Sequence, residues 1–296
     1  MIEIVEVGPR DGLQSEDLVL PVPTRVDLIR RLEAAGATRI ETVSFAHPRL
    51  VPQMDGAEAI CSALGERSFS AIGLVLNDRG LERALATDLD EVNLVAYASD
   101  GYALKNSDAG ADDRNAEAAV LAVRAKEAGL RVSVTISVAF GDPIDGPVPP
   151  ERVADIVRDL NGAGVDEIAL GDTIGVAVPS EVERLLAVVT AAAPEARTRC
   201  HFHNTRNTGY ANAFAAVAAG VQSLDASVGG FGGSPFSPGA GGNIATEDLA
   251  WMLQRSGIET GLDPERLAET GQWLARELGH ASSQAMLSRA APWPGR

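Results

Sequence analysis

Residues Glu167 to Asn204, EIALGDTIGVAVPSEVERLLAVVTAAAPEARTRCHFHN, contain one full repeat of the pattern that decides the fold. A short apolar run, Glu167–Leu170, gives way to a helical stretch, Pro179–Ala192, and a second apolar run follows at Thr198–Phe202. The preceding helical stretch, Pro150–Gly162, runs into Ala163-Gly164, where glycine supplies a left-handed C-cap. The same device recurs at Ala35-Gly36, Ala128-Gly129 and Ala219-Gly220. Each glycine is followed within a few residues by the next strand, which is the αβ loop of a repeating βα unit.

Outward from this stretch the alternation covers the chain. The strands expected are Ile2–Val7, Arg39–Val43, Ser68–Leu74, Glu91–Ala96, Arg131–Ser137, Glu167–Leu170, Thr198–Phe202 and Ser223–Ser227. Helices are expected near Thr24–Ala35, Asp55–Ala63, Arg79–Ala86, Arg114–Ala128, Pro150–Gly162, Pro179–Ala192, Asn207–Ala219 and Thr246–Arg255. Eight βα units in roughly 250 residues predict an α/β fold of the (β/α)8, or TIM-barrel, type. The competing doubly wound sheet would carry a glycine-rich fingerprint after its first strand, and Gly8-Pro9-Arg10-Asp11-Gly12 is not one. A further helical pattern in Pro264–Leu278 predicts a C-terminal extension, so residues 1–256 are read as the barrel and 257–296 as a helical appendage packed on it.

Composition narrows the function. The 296 residues carry a formal net charge of −16, which argues against nucleic acid as a partner. No apolar run approaches the roughly 20 residues that span a bilayer. Two cysteines, Cys61 and Cys200, and no secretory-type N-terminus point to a reducing cytoplasm. An acidic protein repels anions at long range, so any anion site must be built locally from a metal, an arginine and backbone amides.

His201-Phe202-His203-Asn204 carries the first chemistry. Side chains alternate along a strand, so His201 and His203 face the same way at a strand's C-terminal end. A lone histidine there is more often a polar edge residue; this pair holds two of the chain's four histidines. Asp11, after the first strand, is a hard oxygen ligand, and mixed O/N ligation suits magnesium, manganese or zinc. In a barrel, residues just after the strands converge on one mouth. Arg10, Asp11 and Gln14 follow strand one; Glu41 and Ser44 end strand two; Asp172 and Thr173 follow strand six. After strand eight comes a glycine-rich loop with Ser234, then Asn243. Blander roles stay open for two acids: Asp172 as a turn cap, and Asp225 as a polar residue of the barrel interior.

Five motifs in register resemble the 3-hydroxy-3-methylglutaryl-CoA lyase family: VGPRDGLQ (7–14), IETVSFAHPRLVPQM (40–54), LGDTIG (170–175), HFHNT (201–205) and GNIATEDL (242–249). That family belongs to a wider group of metal-dependent TIM-barrel enzymes that make or break C–C bonds next to carbonyls. The resemblance implies Asp11, His201, His203 and Asn243 as metal ligands, Arg10 as the residue that polarises the acyl carbonyl, and Glu41 as a member of the acid/base shell. Gln14 and Asp172 match further mouth residues, and Ser44 and Thr173 stand where substrate is expected to bind. The metal expected is Mg²⁺ or Mn²⁺, because softer zinc sites usually recruit thiolate and Cys200 should face away from the mouth.

Departures from the family pattern are specific. Ser234 stands where the family carries a cysteine thought to relay a proton, and a serine hydroxyl is a far poorer acid than a thiol. Asp17 stands at a position that is basic in many members, and Ser133 replaces an arginine. The activity implied is retro-Claisen cleavage of a 3-hydroxy-3-substituted glutaryl-CoA-like thioester. The alternatives are a metal-dependent aldolase or condensing enzyme on a 2-oxo acid, and a binding homologue that has lost turnover. The partner expected is a small-molecule acyl-CoA or hydroxy-acid substrate, with a homodimer left open.

Overall fold

The computed structural model describes residues 1–233 and 242–291. Eight strands alternate with helices: β1 Glu3–Glu6, β2 Arg39–Ser44, β3 Ser70–Leu74, β4 Glu91–Tyr97, β5 Arg131–Ser137, β6 Glu167–Asp172, β7 Arg197–Phe202 and β8 Ser223–Ala226. Among the described residues the helices are α1 Val22–Ala34, α2 Ala57–Leu64, α3 Asp78–Leu85, α4 Asp100–Ser107, α5 Ala111–Glu127, α6 Pro150–Gly162, α7 Pro179–Ala192, α8 Gly209–Ala218, α9 Thr246–Arg255 and α10 Pro264–Glu277. The strands close in sequence order, all parallel, with β8 pairing back onto β1. The chain is a (β/α)8 barrel. No described helix is long and apolar enough to cross a membrane.

Its lumen departs from the usual filling of branched aliphatics. Arg39 Nη2 lies 2.8 Å from Glu91 Oε1 and 2.8 Å from Glu167 Oε2, linking β2, β4 and β6 across the interior. Arg199 Nη1 stands 3.5 Å from Glu167 Oε2. Ser133, where the family resemblance expects arginine, donates to Glu91 Oε1 at 2.7 Å and so joins this buried ionic column. Desolvating such charges costs several kcal/mol per ion, offset only because each has a partner of opposite sign.

Helix α4 and the turn Gly8–Gly12 are among the elements that escaped the sequence. Helix α4 buries only Tyr102 and Ala103, too little to give a periodic signal. The stretch Gly8–Gly12 coils into a tight helical turn in which the Val7 carbonyl accepts from the amides of Arg10, Asp11 and Gly12. Strand β6 runs two residues longer than expected, so Asp172 is its last residue rather than the first of a loop.

The C-terminal residues bear on the mouth. α10 buries Leu267 and Leu274 and packs on the turn Val228–Gly230. Beyond it, the amides of Gln284 and Ala285 donate to the Gly229 carbonyl at 2.9 and 3.2 Å. Those of Met286 and Leu287 donate to the Asp248 carboxylate at 2.8 and 2.7 Å. The chain on either side of the glycine-rich loop is thereby tied to the C-terminal residues.

Candidate metal and active site

The turn after β1 presents Arg10 and Asp11 side by side. Arg10 Nη1 donates to Asp11 Oδ1 at 2.7 Å and Arg10 Nε to Glu41 Oε2 at 2.8 Å, spanning the ends of β1 and β2. Glu41 is 2% exposed, and its other oxygen accepts from Asn93 Nδ2 of β4 at 3.0 Å. Asn93 in turn accepts from the Thr135 hydroxyl of β5 at 3.1 Å. A continuous hydrogen-bonded chain therefore fixes Arg10 from three strands, β2, β4 and β5.

Asp11, His201 and His203 converge, with one ligand atom from each within 4.8 Å of the others. The two imidazoles face the same way, their ring centroids 5.1 Å apart. His203 forms an isolated bridge with Asn243, which brings the last loop to the cluster. Asn243 Nδ2 donates to Asp11 Oδ2 at 2.7 Å and to the Phe231 carbonyl at 3.1 Å. Glycine is required beside it: Gly232 has φ +106°, and a Cβ there would meet Asn243 Nδ2 at 2.4 Å.

Charge within the cluster is uneven. Burial pushes the Asp11 carboxyl up, but the Arg10 guanidinium, the imidazoles and the Asn243 hydrogen bond outweigh it and hold the acid well below the usual range. Burial, reinforced by His201, lowers His203 to about 4, so its ring is neutral at pH 7. Burial also pulls His201 down, yet its hydrogen bond to Asp225 and the nearby Asp11 charge raise it on balance.

This donor set fits a divalent cation. His203 Nδ1 and Asn243 Oδ1 are buried without hydrogen-bond partners, although buried polar atoms are normally paired. The Asn243 amide nitrogen is committed to Asp11 and Phe231, which leaves the oxygen as the electron-pair donor. One carboxylate, two imidazoles and one amide oxygen, with no thiolate, make a mixed O/N donor set for such an ion. Cys200 is buried away from them, as alternation along β7 requires.

The remaining sequence-predicted residues divide. Asp172 accepts from the amides of Val176 and Ala177 at 2.8 and 3.2 Å, so it does cap the β6 loop. Burial nonetheless raises it to about 6, against those bonds and the His201 charge. The Ser44 hydroxyl accepts from the Ala46 amide and that of Thr173 from the Val138 amide; each fixes a loop and keeps its own proton to donate. Gln14 lies half-buried just past the turn. Ser234 lies outside the described residues. Asn93 was missed by the sequence, where its only signal is a polar residue inside an otherwise apolar run. Asp225 proves to face His201: its Oδ2 is 3.2 Å from Nδ1. A cavity of about 680 Å³ between α8, α9 and residues 284–290 meets this cluster only at Asn243.

Glu6 ties the site's loops together. Its Oε1 accepts from the amides of Gly8 and Val228 at 2.7 and 2.9 Å, and its Oε2 from the Thr246 hydroxyl at 2.6 Å. Burial pushes this carboxyl up to about 7 in spite of those bonds. A folded-state value above that of the unfolded chain means the native protein holds the proton more tightly. Stability is then fully present below about pH 4.5 and lost as pH rises through 7. Glu247, raised by burial to about 8, acts in the same sense. Urea unfolding from pH 5 to 8.5 should show wild-type stability falling, and Glu6→Gln should flatten that fall by up to about 3 kcal/mol. Equal slopes in both proteins would rule out Glu6 as the titrating group.

Comparison with known proteins places this geometry among relatives. A family model described as HMGL-like matches residues 1–274. The (R)-citramalyl-CoA lyase of Chloroflexus aurantiacus is 44% identical, over 98% of this chain and 95% of its own. The hydroxymethylglutaryl-CoA lyase of Pseudomonas mevalonii is 40% identical, over 98% and 97%. The crystal structure of hydroxymethylglutaryl-CoA lyase from Pseudomonas aeruginosa superposes with a TM-score of 0.93 at 36% identity, covering 98% of each chain.

Proposed function

We propose, since this chain belongs to the HMGL-like family of CoA-ester lyases, that it is a divalent-metal-dependent carbon–carbon lyase for 3-hydroxy-3-substituted dicarboxylic acyl-CoA esters. The reaction is of the retro-Claisen type that takes 3-hydroxy-3-methylglutaryl-CoA to acetyl-CoA and acetoacetate. The supporting observation is the juxtaposition of Arg10 with the Asp11–His201–His203 cluster: a fixed cation beside a set of ligands for a second one. Both lie inside a protein whose overall charge is −16, and together they give an anionic ester a local place to bind.

Asp11, His201, His203 and Asn243 would hold Mg²⁺ or Mn²⁺, and the ion would supply Lewis acidity toward the substrate's hydroxyl and carboxylate oxygens. The chain's own residues do the rest. Loss of the tertiary hydroxyl proton leaves its bonding pair on oxygen; that pair forms the second bond of the new carbonyl as the C–C bond breaks, and the C–C bonding pair passes to the acyl-CoA fragment as an enolate. Arg10 donates to the thioester oxygen where that negative charge develops; its position, locked by Glu41 and Asp11, needs no reorganisation during the reaction. Asp172, held near 6 by burial, is an ionised acceptor at neutral pH and suits the hydroxyl proton. A proton delivered to the enolate carbon completes the acyl-CoA product.

The test is a cleavage assay with added Mg²⁺ or Mn²⁺ over a panel of CoA thioesters and hydroxy-oxo acids, read by mass spectrometry. The glutaryl and malyl esters in the panel separate the two substrate types for which the relatives are named. Metal-dependent release of a shorter acyl-CoA is the expected result; turnover of hydroxy-oxo acids alone would replace the thioester lyase with an aldolase.

Ser234 is proposed to stand at the enolate's proton donor. A thiol is the better acid near neutrality and nearly isosteric with the hydroxyl, so Ser234→Cys should raise kcat on the true substrate by about tenfold. Equal rates for Ser234→Cys, Ser234→Ala and wild type would leave residue 234 with no part in proton transfer.

A further inference from the structure

We propose that Arg199 and Asp225 are positioning residues for His201: Arg199 anchors the Asp225 carboxylate, and Asp225 fixes the ring angle and tautomer of His201. The inference rests on the reading of Asp11, His201, His203 and Asn243 as a divalent-metal site.

The geometry follows from strand alternation and register. Arg199 and His201 are two residues apart on β7 and share its inward face, with Cys200 on the other. β8 places Asp225 directly opposite His201 in the parallel ladder. Asp225 Oδ2 then lies 3.2 Å from His201 Nδ1, and Oδ1 lies 3.2 Å from Arg199 Nε. The second contact is close enough for an ion pair but is not aligned as a hydrogen bond, since both atoms otherwise lack partners. Arg199 continues downward to Glu167, and Glu167 to Arg39, so the ionic column of the lumen ends at its upper tip on a candidate metal ligand.

That ending explains an otherwise expensive feature. Arg199 and Asp225 are 2% and 5% exposed, and apolar side chains of similar volume would often fill such space at no loss of stability. An imidazole whose Nδ1–H is held by a carboxylate has its lone pair on Nε2, the tautomer that leaves Nε2 as the coordinating nitrogen. His203 Nδ1 has no such partner, so the two histidines differ at that nitrogen.

The test uses Asp225→Asn, Arg199→Lys and Arg199→Met in the full chain. Calorimetric titration with Mn²⁺ gives Kd, and ¹⁵N NMR of the metal-free, histidine-labelled protein at a pH above the imidazole titration gives the tautomer. With four histidines in the chain, each ring can be assigned by deletion. Wild type should bind Mn²⁺ and show His201 protonated at Nδ1. Asp225→Asn keeps the shape but can present its amide N–H to the ring; it should mix the tautomers and weaken Mn²⁺ by about 10- to 100-fold. Arg199→Lys, which keeps the charge, should stay within about threefold of wild type. Arg199→Met cannot remove a ligand, so weaker Mn²⁺ binding there separates positioning from direct coordination by Asp225. A variant Asp225→Asn with lower thermal stability but unchanged tautomer and Kd would reduce the pair to a packing role and overturn the inference alone. A wild type that binds no Mn²⁺ would overturn the metal reading and this inference with it.

Discussion

Replacing Arg10 with lysine should lower kcat by about 10²- to 10³-fold, the scale seen when one preorganised donor to a developing oxyanion is removed. Lysine preserves the charge and loses the planar fork. Arg10 spends Nη1 on Asp11 and both Nε and Nη2 on Glu41, and retains one further N–H on each Nη for substrate; one ammonium cannot hold that geometry. KM should change far less than kcat, because the enolate charge exists only beyond the ground state. Mn²⁺ content and the far-UV spectrum should stay close to wild type. The opposing outcome is specific: near-normal kcat with a melting temperature several degrees lower would make Arg10 a tie between Glu41 and the β1 turn, with no share in catalysis.

His203→Ala should abolish measurable metal binding, raising the Mn²⁺ Kd by at least about 10³-fold, since it removes one of the four proposed ligands outright, a larger loss than the 10- to 100-fold typical of a supporting group. Activity should fall to background and should not recover at millimolar Mn²⁺. His203 is 5% exposed, and burial keeps it neutral, so its deletion leaves a small cavity but no unpaired buried charge. Folding should therefore persist, which circular dichroism can check. Metal analysis of the purified variant decides the assignment: stoichiometric Mg²⁺ or Mn²⁺ retained without this ring would exclude it as a ligand.

Much of the fold was legible because its signals are local. The limits of α6, α7 and α9 match the expected ones residue for residue, and those helices carry strong apolar faces. β5 matches likewise. Other ends drifted by a few residues, as with α8, expected from Asn207 and beginning at Gly209, where Asn207 itself adopts φ 64°. The short helix Asp100–Ser107 and the turn Gly8–Gly12 were not legible: each is stabilised by what it packs against, not by a pattern of its own.

For the site, sequence determined which residues reach the mouth, since strand alternation and the barrel's polarity suffice to collect Arg10, Asp11, Glu41, Asp172, His201 and His203 at one end. Assigning Asn243 needed the family resemblance, because it lies 232 positions from the carboxylate it meets. What only the tertiary structure decided is who holds whom. A buried polar residue on a strand has the same local signature whether it faces a charge, a metal ligand or nothing. Closing the sheet assigned Asn93 to Glu41 and Asp225 to His201, and put the arginines of β2 and β7 on the carboxylates of β4, β6 and β8. Pairings across a lumen depend on strand register and barrel closure, which are set by the whole chain at once and written in no single segment of it.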